Sequence, residues 1–89
     1  MQVTCSHILV PTLEQAQDLH TRIVAGANFA QMAMEHSLCN SASVGGNLGA
    51  FGPGQMVPEF EQVAFACPVN AMSQPVQTQF GYHLILRTA

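Results

Sequence analysis

Hydrophobic and polar positions set the first element. From Cys5 to Val10 (CSHILV) the chain is β-branched and apolar enough to form a strand, and Pro11 stops it. A period of two places Cys5, His7 and Leu9 on one face and Ser6, Ile8 and Val10 on the other, so a histidine lies opposite Ile8 and Val10. The period then lengthens. Thr12-Leu13-Glu14-Gln15 fits a capping box, with Thr12 as N-cap and Gln15 three residues on. Leu13, Ala16, Leu19 or His20, and Ile23 recur at helical spacing, predicting a helix to about Ala25 with Gly26 as its C-cap. Asn28 caps a shorter helix from Phe29 to about His36, with Phe29, Met32 and Ala33 facing inward. The first helix is long enough to cover a sheet, and the second reads as a lid or corner.

Ser37 to Ser43 (SLCNSAS) is small and polar apart from Leu38 and Cys39, and reads as a loop. The stretch from Val44 to Phe60, VGGNLGAFGPGQMVPEF, holds five glycines and two prolines in seventeen positions. That mixture builds an irregular, constrained surface, because glycine permits unusual backbone shapes while proline fixes φ and removes a donor. Leu48, Phe51, Met56 and Phe60 are interspersed through it, as the walls of a shallow apolar pocket or as plugs of the core. Leu48 to Phe51 reads as a short strand. Pro58 suits the first turn of a helix over Glu59 to Phe65, where its missing N–H has no partner to lose, and Cys67-Pro68 ends that helix. Val76 to Thr78, the turn Gln79-Phe80-Gly81, and Tyr82 to Arg87 then read as a closing hairpin. The sum is an α+β domain spanning residues 1–89, with helices on a small antiparallel sheet.

Composition narrows the function. Only 8% of residues are charged, against about 25% in a typical domain, and the net charge is −3. There is no lysine, and Arg22 and Arg87 form no patch, which argues against nucleic acid and anionic lipid as partners. No apolar run approaches the roughly 20 residues that span a bilayer. The opening MQVTCSHILVP lacks the basic and apolar regions of a signal peptide, so cytoplasm is the expected location. Cys5, Cys39 and Cys67 are odd in number and unclustered, which predicts reduced thiols rather than a disulfide framework.

Candidate chemistry centres on His7 and His83, on the first and last strands, which a small sheet often brings side by side. Adjacent imidazoles must share a proton or be oriented by a third group, and Thr78, five residues before His83 across the tight turn, is a plausible orienter. Cys39 can join them from its loop. A Cys/His nucleophile and a Cys/His metal site are both open on residue types alone. The first lacks an evident orienting acid or amide, and the second lacks the short ligand spacings of structural zinc. His20 and His36, on helices, read as structural or solvated.

Taken in order, CSHILV, SLCNS, GGNLGAFGPGQMVPEFEQVAF and QTQFGYHLILR resemble the parvulin family of peptidyl-prolyl cis/trans isomerases, over residues 5 to 87. The likeness is to small stand-alone bacterial members, and GG-x-LG-x-F, GQMVPEFE and FGYH-L-I are its specific motifs. It implies a four-stranded antiparallel sheet surrounded by helices, parvulin-like (FKBP-like), in β-α-α-α-β-α-β-β order. The pattern above has one helix fewer, and the missing turn should fall in Ser37 to Ser43. The resemblance also implies that Leu48, Met56 and Phe60 form the proline pocket, with Phe80 at its rim and Phe51 left to the core. Cys39 would stand beside the susceptible peptide bond, and His7, Thr78 and His83 would form a central hydrogen-bonded group.

These roles imply a monomeric isomerase without cofactor or metal, acting on proline-containing segments of flexible or unfolded chains. The alternative is a chaperone module that holds such peptides with little turnover. The phosphate-dependent branch of the family carries a basic cluster after the first strand. Here that loop is only Pro11-Thr12, with no Lys or Arg before Arg22, so a phosphorylated residue before proline finds no partner. An apolar or uncharged residue there is expected instead.

Overall fold

A computed structural model describes all 89 residues. Its strands are β1 (Val3–Val10), β2 (Asn47–Phe51), β3 (Val76–Thr78) and β4 (Gly81–Arg87). The helices are α1 (Leu13–Val24), α2 (Phe29–His36) and α3 (Pro58–Ala66), and a short 3-10 helix covers Asn40–Val44. The four strands form one antiparallel sheet in the order β2-β1-β4-β3. This is the element order that the resemblance implies, with the missing turn present as the 3-10 helix, which starts within the expected Ser37–Ser43 and ends one residue beyond it.

Local chemistry explains the helix starts. Thr12 Oγ1 accepts the Gln15 N–H at 3.2 Å, and Asn28 Oδ1 accepts the Gln31 N–H at 2.9 Å. Each bond satisfies a donor that has no partner inside the first turn. Pro58 opens α3, and Val57 before it contributes no side-chain cap. Within α1 the buried positions are Ala16 and Leu19, while Leu13 at the helix start is exposed rather than part of the stripe.

The sheet separates two apolar layers. Ile8, Val10 and Leu84 pack with Ala16 and Leu19 of α1 and Phe29 and Ala33 of α2. On the opposite face Val3, Cys5 and Ile85 pack with Phe51 of β2 and Phe60 and Ala64 of α3. The alternation in β1 therefore falls as its side-chain period requires. His7 belongs to the α3 face, beside the second layer.

Candidate active site

The two histidines meet because β1 and β4 pair in register. Leu9 lies opposite His83 and His7 opposite Ile85, so the imidazoles are diagonal neighbours on one face. Their rings stack at 5.2 Å with an interplanar angle of 17°. His7 Nδ1 and His83 Nδ1 are 3.0 Å apart, and Thr78 Oγ1 lies 2.7 Å from His83 Nε2. Thr78 Oγ1 also accepts the Phe80 N–H at 3.2 Å. The assignment that satisfies most of these groups has the Thr78 hydroxyl donating to His83 Nε2. His83 then carries its proton on Nδ1 and donates to His7 Nδ1, which leaves the His7 proton on Nε2. That nitrogen is buried and has no hydrogen-bond partner.

Burial decides the charge of the pair. His7 is 5% exposed and His83 4%. Burial, and then the neighbouring His83, push the His7 imidazole down from 6.5 to about 4. Burial likewise lowers His83. Both rings are therefore neutral near pH 7. The single Nδ1–Nδ1 contact has room for one proton between the rings, so the pair cannot take two charges without separating.

Phe60 closes the site from the helical side. Its ring stands edge-on to both imidazoles, at 5.5 Å and 80° from His7 and at 5.3 Å and 83° from His83. Phe51 lies 6.1 Å from Phe60 and 6.2 Å from Phe65, inside the core rather than on the cleft.

Above these rings opens a cleft of about 370 Å³ lined by His7, Leu9, Cys39, Leu48, Gln55, Met56, Val57, Phe60, Phe80 and His83. Of the residues singled out in the sequence, Thr78 alone stands back from the lining and meets the site through His83. Phe80 is exposed and forms an outer edge. Cys39 is half-buried at the start of the 3-10 helix. Cys5 and Cys67 are buried elsewhere, and burial raises the Cys5 thiol, with the nearby Cys67 adding to the effect. No three His, Cys, Asp or Glu side chains lie together as a metal ion would need.

Three lining residues were not singled out as functional from the sequence. Leu9 carried a signal, since strand alternation already placed it on the face of His7. Gln55 and Val57 lie in the GQMVPEF motif, but an irregular turn gives no period from which to read their direction.

The model of the family described as "Rotamase: PPIC-type PPIASE domain" matches residues 7–89. The chain is 46% identical over 89 residues to the foldase protein PrsA of Halalkalibacterium halodurans, covering 99% of this chain and 27% of that protein. It is 48% identical over 88 residues to a parvulin-like PPIase of Rickettsia conorii, covering 94% of this chain and 31% of that one. The chain thus spans under a third of the length of these curated relatives. Against the solution structure of NmPin, the parvulin of Nitrosopumilus maritimus, the TM-score is 0.90 at 39% identity, covering 99% of this chain and 96% of that one.

Proposed function

The chain belongs to the PPIC-type rotamase family, the parvulin peptidyl-prolyl isomerases, and we propose that it accelerates cis/trans rotation about X–Pro bonds in flexible or unfolded chain segments. The observation that carries this is the apolar cleft whose floor is a pair of neutral, mutually hydrogen-bonded imidazoles against Phe60.

The chemistry to be catalysed is a rotation with a barrier of about 18–20 kcal/mol, set by resonance across the C–N bond. The planar amide carries charge separation between its oxygen and nitrogen, which water stabilises. Twisting removes the resonance and much of that separation. An apolar site therefore penalises the planar ground state more than the twisted transition state, and only such a difference accelerates the step. Each ~1.4 kcal/mol of difference is worth about tenfold in rate.

In this proposal Leu48, Met56 and Phe60 grip the proline ring, and Phe80 shields its outer side. The preceding carbonyl swings past Cys39 and the imidazoles. Neutral His7 and His83 shape the field there without placing a full charge beside the amide. Thr78 holds the orientation of His83. Catalysis is noncovalent: Cys39 lines the path of the carbonyl and does not attack it. Substrates are unphosphorylated, with an apolar or uncharged residue before proline, in keeping with a chain whose bases are Arg22 and Arg87 alone.

A folded unit over residues 1–89, monomeric and cytoplasmic, completes the proposal. It rests on the composition, the odd and unclustered cysteines, and a core layer on each face of the sheet. Sedimentation of the purified chain checks the first two of these, and fractionation of its source cells checks the third.

The functional test is exchange spectroscopy on a short Ala-Pro or Leu-Pro peptide. Broadening of the cis and trans signals at catalytic protein concentration is expected. Shifted peptide signals without faster exchange identify a binding module instead. Cleaved peptide together with covalent labelling of Cys39 by substrate-like electrophiles identifies a hydrolase.

A further inference from the structure

The walls of the cleft are held by unequal means. Leu48 stands on β2 and Phe60 on α3, and both elements carry their own backbone hydrogen bonds. Met56 has no such support. No backbone amide or carbonyl between Gly52 and Met56 bonds to another backbone group.

Met56 and Val57 pack against the second apolar layer, and the backbone of the turn is held by two side chains. Gly52 N–H donates to Gln55 Oε1 at 2.7 Å, closing the turn on itself. Gly54 N–H donates to Glu61 Oε1 at 2.5 Å, tying the turn to the helix that carries Phe60. Gly54 has φ +85° and nothing near its absent side chain, so local packing adds no second restraint there. A bond from a backbone N–H to an ionised carboxylate is roughly twice as strong as a neutral one. Glu61 also lies in the first turn of α3, where a negative charge is favoured.

We propose that Glu61, assisted by Gln55, is a positioning residue that sets the Met56 wall against Phe60 and so fixes the width of the proline pocket; this rests on the isomerase reading of the cleft. A clamp must stay still while the carbonyl turns against it, and a wall on an untethered turn cannot supply that preorganisation. Neither Glu61 nor Gln55 needs to touch the reacting bond.

Four expected outcomes test this. In the peptide-free protein, Glu61→Ala should raise the mobility of the Met56 methyl group, read by methyl relaxation. In the exchange assay it should lower kcat/KM by about five- to tenfold, chiefly through KM, as the loss of one pinning bond implies. Glu61→Gln keeps an oxygen acceptor and should restore most of the loss. In a Met56→Ala background, Glu61→Ala should have almost no further effect, because the wall it positions is gone.

Additive effects of Glu61→Ala and Met56→Ala, or unchanged Met56 mobility, overturn the proposal. If Glu61→Ala does not fold, Gln55→Ala removes the other tether and carries the same expectations. A wild-type chain that fails to speed peptide exchange sinks the isomerase reading, while the Met56 relaxation still decides the tether.

Discussion

At the scale of single residues the site is a short relay of hydrogen bonds with an unsatisfied end. Thr78, His83 and His7 hold one another, and His7 Nε2 ends the chain without a partner. A buried unpaired group costs free energy that the surrounding fold must offset. Replacing Thr78 by valine keeps the shape but leaves His83 Nε2 and the Phe80 N–H unpaired. It should cost about 1–3 kcal/mol, read from the urea midpoint, and weaken catalysis.

The histidines also predict how stability depends on pH. The His7 pKa falls from 6.5 to about 4 on folding, so within that window the unfolded chain binds a proton that the folded chain refuses. Stability is therefore full above 6.5, falls as the pH drops towards 4, and levels off below it. The loss from His7 should be on the order of 3 kcal/mol, with His83 acting in the same direction. Urea titrations across the window check the slope, and His7→Asn should flatten it. Cys39 gives a separate test. If its role is noncovalent, Cys39→Asp should keep activity within about tenfold of wild type, whereas near-complete loss points to a nucleophile.

At the scale of elements, the strongest constraint is the approach of the glycine-rich stretch to β1. Gly46 accepts the His7 N–H at 2.9 Å, and a Cβ on Gly46 would lie 2.3 Å from the His7 carbonyl oxygen. Its φ of +85° adds strain for any side chain. Gly46→Ala should thus displace β1 at His7, lowering the thermal midpoint and peptide binding together. Gly26→Ala, with open space around it, bears only the φ penalty and should spare peptide binding, a contrast that thermal melts and titrations read directly.

Much of this architecture was legible in the sequence, for physical reasons. The alternation of β1 put His7 and Leu9 on one face, and Thr12, Asn28 and Pro58 marked helix starts that the structure contains. Regular hydrogen bonding imposes a period, and a period can be read. What was missed lacks one. The Asn40–Val44 helix consists of small polar residues with no apolar stripe. Asn70 to Ser73 runs beside β4, exchanging backbone bonds with Ile85 and Arg87, yet nothing in NAMS alternates. β1 also begins at Val3, two residues before the apolar run that starts at Cys5. In the site, the pairing of His7, Thr78 and His83 followed from strand adjacency. The Gly54–Glu61 bond did not, because its partners are joined by no secondary-structure period.

At the scale of the molecule, the sheet supports two different tasks. One face, under α1 and α2, is packed core. The other gives part of its apolar layer to a cleft, with Phe60 of α3 serving both the core packing and the cleft wall, beside Leu48 of β2 and Met56 of the turn before α3. Stability and function thus share residues on that side. Phe60→Ala should cost about 3–5 kcal/mol as a buried aromatic deletion, whereas Met56, half-buried at the cleft, can be truncated at smaller cost. The relatives of greater length place this unit among further chain, while the Nitrosopumilus maritimus parvulin is nearly coextensive with it.

The central claim is that an apolar cleft over a neutral histidine pair turns X–Pro bonds without covalent chemistry. Exchange spectroscopy on a Leu-Pro peptide with wild type and Met56→Ala tests it most directly. The account predicts cis–trans exchange that accelerates in proportion to wild-type protein and drops sharply with Met56→Ala, the fold remaining intact by amide dispersion. Peptide signals that shift on binding while their exchange rate stays at the uncatalysed value, or acceleration undiminished by Met56→Ala, would contradict it.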